Sequence, residues 1–284
     1  MECVNGRGLD RGQSGGCVLS RLGTPIRALY ARRELVAELT ARELRDRHAG
    51  QVLGVVWAYG HPLLLMLLYT FLFAYVFPAR AGLSSGAQDY SVSILAGIVS
   101  WLAFQDILAR APSILLTHAN LVKQIVFPTE VLPLKTALAS ALPFTGGLLF
   151  AIAYAAWHDT LSWLTLALPV LVAMQLLAMI GVAFLLAAGG VFLRDLREFV
   201  TVFCSVNLFA QPILYSPFAT PDWMQWLFAI NPFSYQVWCW QDALFYGEIA
   251  HPAAWIIYPS GSVATAALGW IIFERTRHSF GDAL

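Results

Sequence analysis

A chain of 284 residues that is 58% hydrophobic and only 12% charged carries more apolar surface than one water-soluble core can bury. With a mean hydropathy of +0.65, its expected solvent over much of its length is lipid. The 17 basic and 17 acidic residues cancel, so net charge points to no acidic or basic partner and gives no reason to expect nucleic acid. The information lies in where the charges fall.

Residues 1–24 lack the apolar core of a signal peptide and read as a flexible tail. Residues 25–47, beginning P-I-R-A-L-Y-A-R-R-E-L, favour a basic amphipathic helix with Ile26, Leu29, Tyr30, Val36 and Leu39 on one face. Glu38–Arg42 and Glu43–Arg47 are spaced to pair one turn apart. Such a helix ahead of a membrane span lies in the interface or packs on a soluble partner. Residues 48–284 then read as a six-span transmembrane domain.

The first span is expected near Val52–Phe77, with Pro62 kinking it or marking a deeper start. The second runs near Ser91–Ala109 and contains Asp106, spaced to pair with Arg110 one turn on. Intramembrane ionisable groups mark function by default, whereas a pair at a helix end serves equally as structural support.

Between spans two and three lies N-L-V-K-Q-I-V-F-P-T-E-V-L-P-L-K, residues 120–135, which holds the only lysines, Lys123 and Lys135. Pro128, Pro133 and the charges make it unfit to cross a bilayer. It is expected as a short exposed element within a segment covering 113–130. A third span follows over Thr136–His158, and the uncharged run Thr160–Leu193 predicts a long helix kinked near Pro169. A fifth span is expected near Phe199–Tyr215.

Residues 216–252 hold no Lys or Arg but many aromatics and prolines, the pattern of short helices dipping into one interface. Trp223, Trp226, Tyr235 and Trp238 there either anchor in the headgroup layer or present their ring faces to a path along the bundle. The last span is expected near Ala254–Phe273. Six spans put all the basic residues except Arg80, of 17 in total, on one side. By the positive-inside rule that side is the cytoplasm, with both termini in it.

Catalytic chemistry is thin. Neither lysine belongs to a phosphate-binding G-x-x-x-x-G-K loop, and no H-E-x-x-H or clustered histidine offers a metal site. G-L-S-S-G at residues 82–86 matches a nucleophile elbow only formally, because the strand–turn–helix setting is missing. Cys3, Cys17, Cys204 and Cys239 show no zinc spacing and read as free thiols. No enzyme activity, catalytic residue, metal or cofactor of the chain's own is expected; a polytopic lipid-modifying enzyme would need a catalytic pair that the sequence does not offer.

Four stretches in order resemble the membrane subunits of type-2 ABC exporters that export O-antigen, teichoic acid and related polysaccharides. They are R-H-A-G-Q-V-L-G-V-V-W-A-Y-G-H-P from Arg47, the segment from Asn120, P-I-L-Y-S with Asn231–Pro232 and Q-D-A-L at 241–244, and the terminal F-G-D-A-L. The resemblance implies a six-span homodimer in the bacterial inner membrane, with two copies of a separate ABC ATP-binding subunit beneath it holding the ATP and Mg. It implies a polysaccharide substrate carried on undecaprenyl pyrophosphate. A related permease for small hydrophobic compounds or drugs is the alternative. The resemblance makes Asn120, Leu121, Val122, Lys123, Gln124 and Phe127 the coupling helix that seats on the ATPase. Arg47, Arg194 and Arg197 are then candidates to meet the lipid pyrophosphate, or are simply positive-inside anchors.

Overall fold

The computed structural model describes residues 33–76, 87–123, 128–215 and 221–283, and every element among them is helical. Helix α1 covers Arg33–Asp46. Helix α2, Val56–Phe71, continues through a π-turn at Leu72–Val76. Helix α3, Ala87–Arg110, runs through a 3-10 turn into two single-turn helices, α4 at Ile114–Thr117 and α5 at Ala119–Val122. Helix α6 covers Val131–Trp157 and α7 Leu168–Phe192, the latter led in by a 3-10 turn at Trp163–Ala167. Helices α8 (Leu196–Asn207), α9 (Asp222–Ile230), α10 (Pro232–Gln241) and α11 (Ala254–Thr276) follow, and α12 closes the described chain at Phe280–Ala283.

Five helical stretches among the described residues are long and apolar enough to cross a bilayer: Val56–Val76, Tyr90–Thr117, Val131–Trp157, Trp163–Phe192 and Ala254–Ser279. Their outward faces carry large apolar side chains such as Leu166 (83% exposed) and Ile256 (73%). A water-soluble protein does not present such surfaces on every side, and lipid accounts for them.

The fifth stretch expected from sequence differs. Helix α8 has 12 residues, about 18 Å of rise against a hydrocarbon core of about 30 Å. It ends where polar side chains take over the backbone ladder: Gln211 Nε2 donates to the Asn207 carbonyl, and Pro212 has no N–H to continue. Residues 208–215 proceed as turns. Pro169 also acts otherwise than expected. It sits in the first turn of α7, where its missing N–H costs nothing, so it starts the helix rather than kinking it. Helix α6 begins before Thr136 and takes Pro133 and Lys135 into its first turns.

Helix α3 is the buried centre, with Trp101, Ile94, Leu95, Ile98 and Ile107 almost wholly covered. Its neighbours fix the direction of every long helix. Gln175 Nε2 donates to the Ser100 carbonyl (3.0 Å), and Gly190 packs on Pro112, so α7 runs parallel to α3. Tyr258 donates to Gln175 Oε1 (3.2 Å), and Phe273 meets Phe184 with ring centroids 5.0 Å apart, so α11 runs parallel to α7. Helix α6 runs the other way, its Tyr154 hydroxyl reaching Ser91 Oγ (2.7 Å) near the start of α3.

Helices α7 and α11 approach closely through small residues, Gly181 facing Ala266 and the backbone of Gly269 meeting that of Gly181. Without a hydrophobic drive between helices in lipid, such backbone-close packing carries much of the association. Cys204 and Cys239 are free and buried.

Because α7 and α11 are parallel, residues 193–253 must return the chain to the opposite end of the bundle. Val200 and Cys204 of α8 pack in the α3 core, and Ile213 lies against Gly97. Helix α10 climbs the same flank: Phe233 contacts Trp101 and Phe104, Gln236 reaches the Ser100 carbonyl, and Gln241 reaches that of Pro212. Its N-terminus therefore lies beside the second half of α3. Beyond it a π-turn, Asp242–Tyr246, ends at Gly247 with φ of 71°, a left-handed cap that glycine adopts freely.

Candidate functional site

The described Lys and Arg side chains belong to one end of the bundle, formed by α1, the C-terminal ends of α3, α7 and α11, and the start of α6. Helix α1 docks there through Val36, Thr40 and Leu44, spaced one turn apart and buried, with Leu39 only partly covered. On the same face stand Glu43 and Arg47, at the hub of an ion network. Arg47 gives Nη1 to Asp106 Oδ2 and Nη2 to Glu43 Oε1, both at 3.1 Å, with longer bonds to Ser140 Oγ (3.3 Å) and the Thr136 carbonyl (3.4 Å). Arg110 Nε holds the other oxygen of Asp106 at 2.9 Å, realising the spacing read from sequence. Lys135 Nζ closes the chain on Glu43 Oε2 at 2.8 Å and on His118 Nε2 at 3.2 Å.

Burial decides which of these contacts matter. Arg42 and Asp46, 3.6 Å apart, are 75% and 68% exposed and contribute about 0–1 kcal/mol. The Arg47 and Lys135 side chains are 8% and 7% exposed, so losing a carboxylate there strands a desolvated cation. Burial by itself would raise the Glu43 carboxyl, but Lys135 and then Arg47 outweigh it and hold that carboxyl below its ordinary value. Burial, with help from Arg110, lowers the Arg47 guanidinium, and Asp106 and Glu43 oppose that shift. An arginine stays charged regardless.

His118 brings the network to the segment between spans. Its Nδ1 lies 2.9 Å from the Ile114 carbonyl, so it carries the proton there, and Nε2 is the acceptor for Lys135. Asn120 and Lys123 are exposed, and Leu121 and Val122 half-covered; Gln124 and Phe127 lie outside the described residues. Ile114 and Leu115 of α4 join an apolar cluster with Leu132, Phe184, Phe273 and Phe280. The segment is thus tied by charge to α1, α3 and α6, and by apolar packing to α7, α11 and the terminal F-G-D-A stretch. Beside the network a cleft of about 540 Å³ has Arg47, Asp106 and Arg110 on its polar side and Trp57, Met66 and Phe144 on its apolar walls. Arg194 and Arg197 are exposed at the same end.

At the far end, Trp226 and Trp238 line a cavity of about 750 Å³. Trp223 is exposed, and the Tyr235 hydroxyl donates to the Ala229 carbonyl at 2.6 Å. No cluster of three His, Cys, Asp or Glu suited to a metal occurs among the described residues.

Sequence reading found Arg47, Asp106 and Arg110 but missed Glu43 and Lys135 as a bridge, and His118 altogether. Glu43 and Lys135 are 92 positions apart, and only the fold joins them. The one available signal was a lysine heading an apolar run.

The sequence profile of the ABC-2 type transporter family matches residues 34–245, from α1 to the π-turn after α10. The chain is 28% identical over 268 residues to the O-antigen export system permease protein RfbA of Myxococcus xanthus, covering 91% of this chain and 98% of that one. Two O-antigen export system permease proteins RfbA of Klebsiella pneumoniae are 24% and 25% identical over 254 and 255 residues, each covering 88% of this chain and 95% of its own. The matched region takes in the charged hub, the segment that hangs from it and four of the five bilayer-length helices, and the chain belongs to the ABC-2 type transporter family as a multi-pass membrane protein.

Proposed function

We propose that this chain is the membrane-spanning subunit of an ABC exporter that moves a lipid-linked polysaccharide of the O-antigen type across the bacterial inner membrane. A separate ATPase subunit drives it. The observation that carries the reading is similarity along nearly the whole length to permeases named for O-antigen export.

The positive-inside rule makes the basic end cytoplasmic. The chain then crosses six times, the fifth crossing being α8 followed by the turns to Tyr215, with α9 and α10 forming a re-entrant pair on the outer side. Two such subunits enclose the channel, and two ATPase subunits seat beneath it on the residues around Asn120–Lys123. Closure of the ATPase pair pushes on this segment. His118 and Lys135 pass the displacement to α1 and α6, and the apolar cluster passes it to α7 and α11, as packed elements move together. Arg194 and Arg197 are available to an undecaprenyl pyrophosphate, while the Arg47 donors serve Glu43 and Asp106.

Purification in mild detergent tests the reading. An ATP-binding protein should accompany the chain at near-equal stoichiometry, and a strain lacking the chain should lose polysaccharide from its surface. A chain that purifies without an ATP-binding protein, or whose deletion leaves surface polysaccharide unchanged, overturns it.

A further inference from the structure

The cavity at the end opposite the charged network has the chemistry of a sugar site with a preference built in. Its volume of about 750 Å³ is in the range of small-molecule sites. Trp226, Trp238, Tyr215 and Tyr246 contribute aromatic surface, and Gln225 and Asp222 contribute groups that bond hydroxyls. A pyranose ring shows both kinds of surface, an apolar face of C–H groups that suits the negative face of an aromatic ring and an equator of hydroxyls.

The wall is held in advance. Trp238 stacks on His251 with centroids 5.2 Å apart and planes 8° from parallel. His251 is fixed by Asp242, which has no solvent exposure: Oδ1 takes Nδ1 at 2.8 Å and Oδ2 takes the backbone N–H at 3.1 Å. Trp255 Nε1 donates to the same Oδ2 at 3.0 Å. A binding wall ordered before the ligand arrives spares the ligand that cost.

Charge supplies the preference. None of the lining residues is Lys or Arg, and none occurs in the sequence between Arg197 and Arg275. Asp242 is taken by His251, which leaves the exposed Asp222 as the field an incoming group meets. An acidic sugar brought within about 7 Å of that carboxylate loses about five- to tenfold in affinity at low salt.

We propose that this cavity is a saccharide subsite that accepts uncharged sugar units and disfavours acidic ones. The proposal rests on the exporter reading above, and within that reading it assigns the chain a neutral polysaccharide at its outer mouth.

Equilibrium dialysis of the purified transporter complex against two probes of equal length, mannotetraose and tetragalacturonate, tests it. Mannotetraose should bind saturably, and tetragalacturonate about five- to tenfold more weakly at low salt, with the gap closing at high salt. Asp222→Asn should close the same gap by strengthening tetragalacturonate relative to mannotetraose. Trp226 is 73% exposed, so its truncation leaves the fold intact. Trp226→Ala should weaken mannotetraose about fivefold, and Trp226→Phe should retain most of the binding. Equal or tighter binding of tetragalacturonate to the unaltered complex overturns the proposal, as does no saturable binding of mannotetraose or no effect of Trp226→Ala. If the cells still display polysaccharide when dialysis fails, the subsite alone is lost. If display never depends on the chain, the exporter reading itself has failed.

Discussion

Arg47 shows how one residue changes meaning with burial. On sequence it is one of several arginines near a membrane edge, free to anchor or to meet a phosphate. In the fold its donors are occupied by Glu43, Asp106 and Ser140, and it joins α1 to α3 and α6. Glu43→Ala is therefore expected to cost about 3–5 kcal/mol by leaving the buried Lys135 without a carboxylate and Arg47 with Asp106 alone. Arg42→Ala, at the preceding position but on the exposed face, should cost under about 1 kcal/mol. Thermal unfolding of the two variants in detergent checks the difference, and equal shifts would remove the network from the stability of the bundle.

The same carboxyl gives a pH dependence. Glu43 has its folded pKa depressed by Lys135 and Arg47, so its contribution is fully present above its unfolded value of about 4.3 and fades as pH falls through the lower folded value. Stability of the native chain should fall in that acid range, and a Glu43→Gln chain should lack that component. Local spacing made Glu43–Arg47 and Asp106–Arg110 legible in the sequence. Lys135 and His118 were not, because their partners are set by helix packing.

At the scale of elements, hydrophobic runs gave the long helices well and their ends poorly. Pro169 reads as a kink when only length is considered, but at a helix start it is the favoured residue. Helix α8 reads as a full span on hydropathy, yet Asn207, Gln211 and Pro212 end its ladder early. The close contact of α7 and α11 was not read from the sequence. In Gly269→Ala the new Cβ would run into the Gly181 backbone, whereas at Gly261 it would meet nothing within 4 Å. Gly269→Ala should lower the unfolding temperature markedly and Gly261→Ala barely; equal effects would mean the two helices are not held backbone to backbone.

The segment between spans two and three carries the mechanical claim. Lys123 is exposed and Val122 is half-covered at the edge of the apolar cluster. Lys123→Glu should leave insertion and stability unchanged while ATP hydrolysis proceeds with export reduced severalfold. Normal export by this variant would take Lys123 out of the coupling.

Over the whole molecule, the described basic residues gather at one end of the bundle. Charge bias in the sequence gathers the basic residues on one side, and the parallel course of α3, α7 and α11 brings their basic C-terminal ends together. Helix α11 therefore starts at the end opposite the one where α7 finishes, although α8 is too short to span a bilayer by itself. Cation placement was readable because basic side chains interrupt the apolar runs at their ends; the depth reached by α10 was not, since it depends on contacts with Ser100 and Trp101.

The central claim is that ATP used by a partner drives polymer through this chain. Inverted membrane vesicles containing both subunits, supplied on the outside with the lipid-linked polysaccharide, test it most directly through protection from an added glycosidase. Protection should grow with ATP and require both subunits. Protection without the ATPase, or none with both subunits and ATP present, would contradict it.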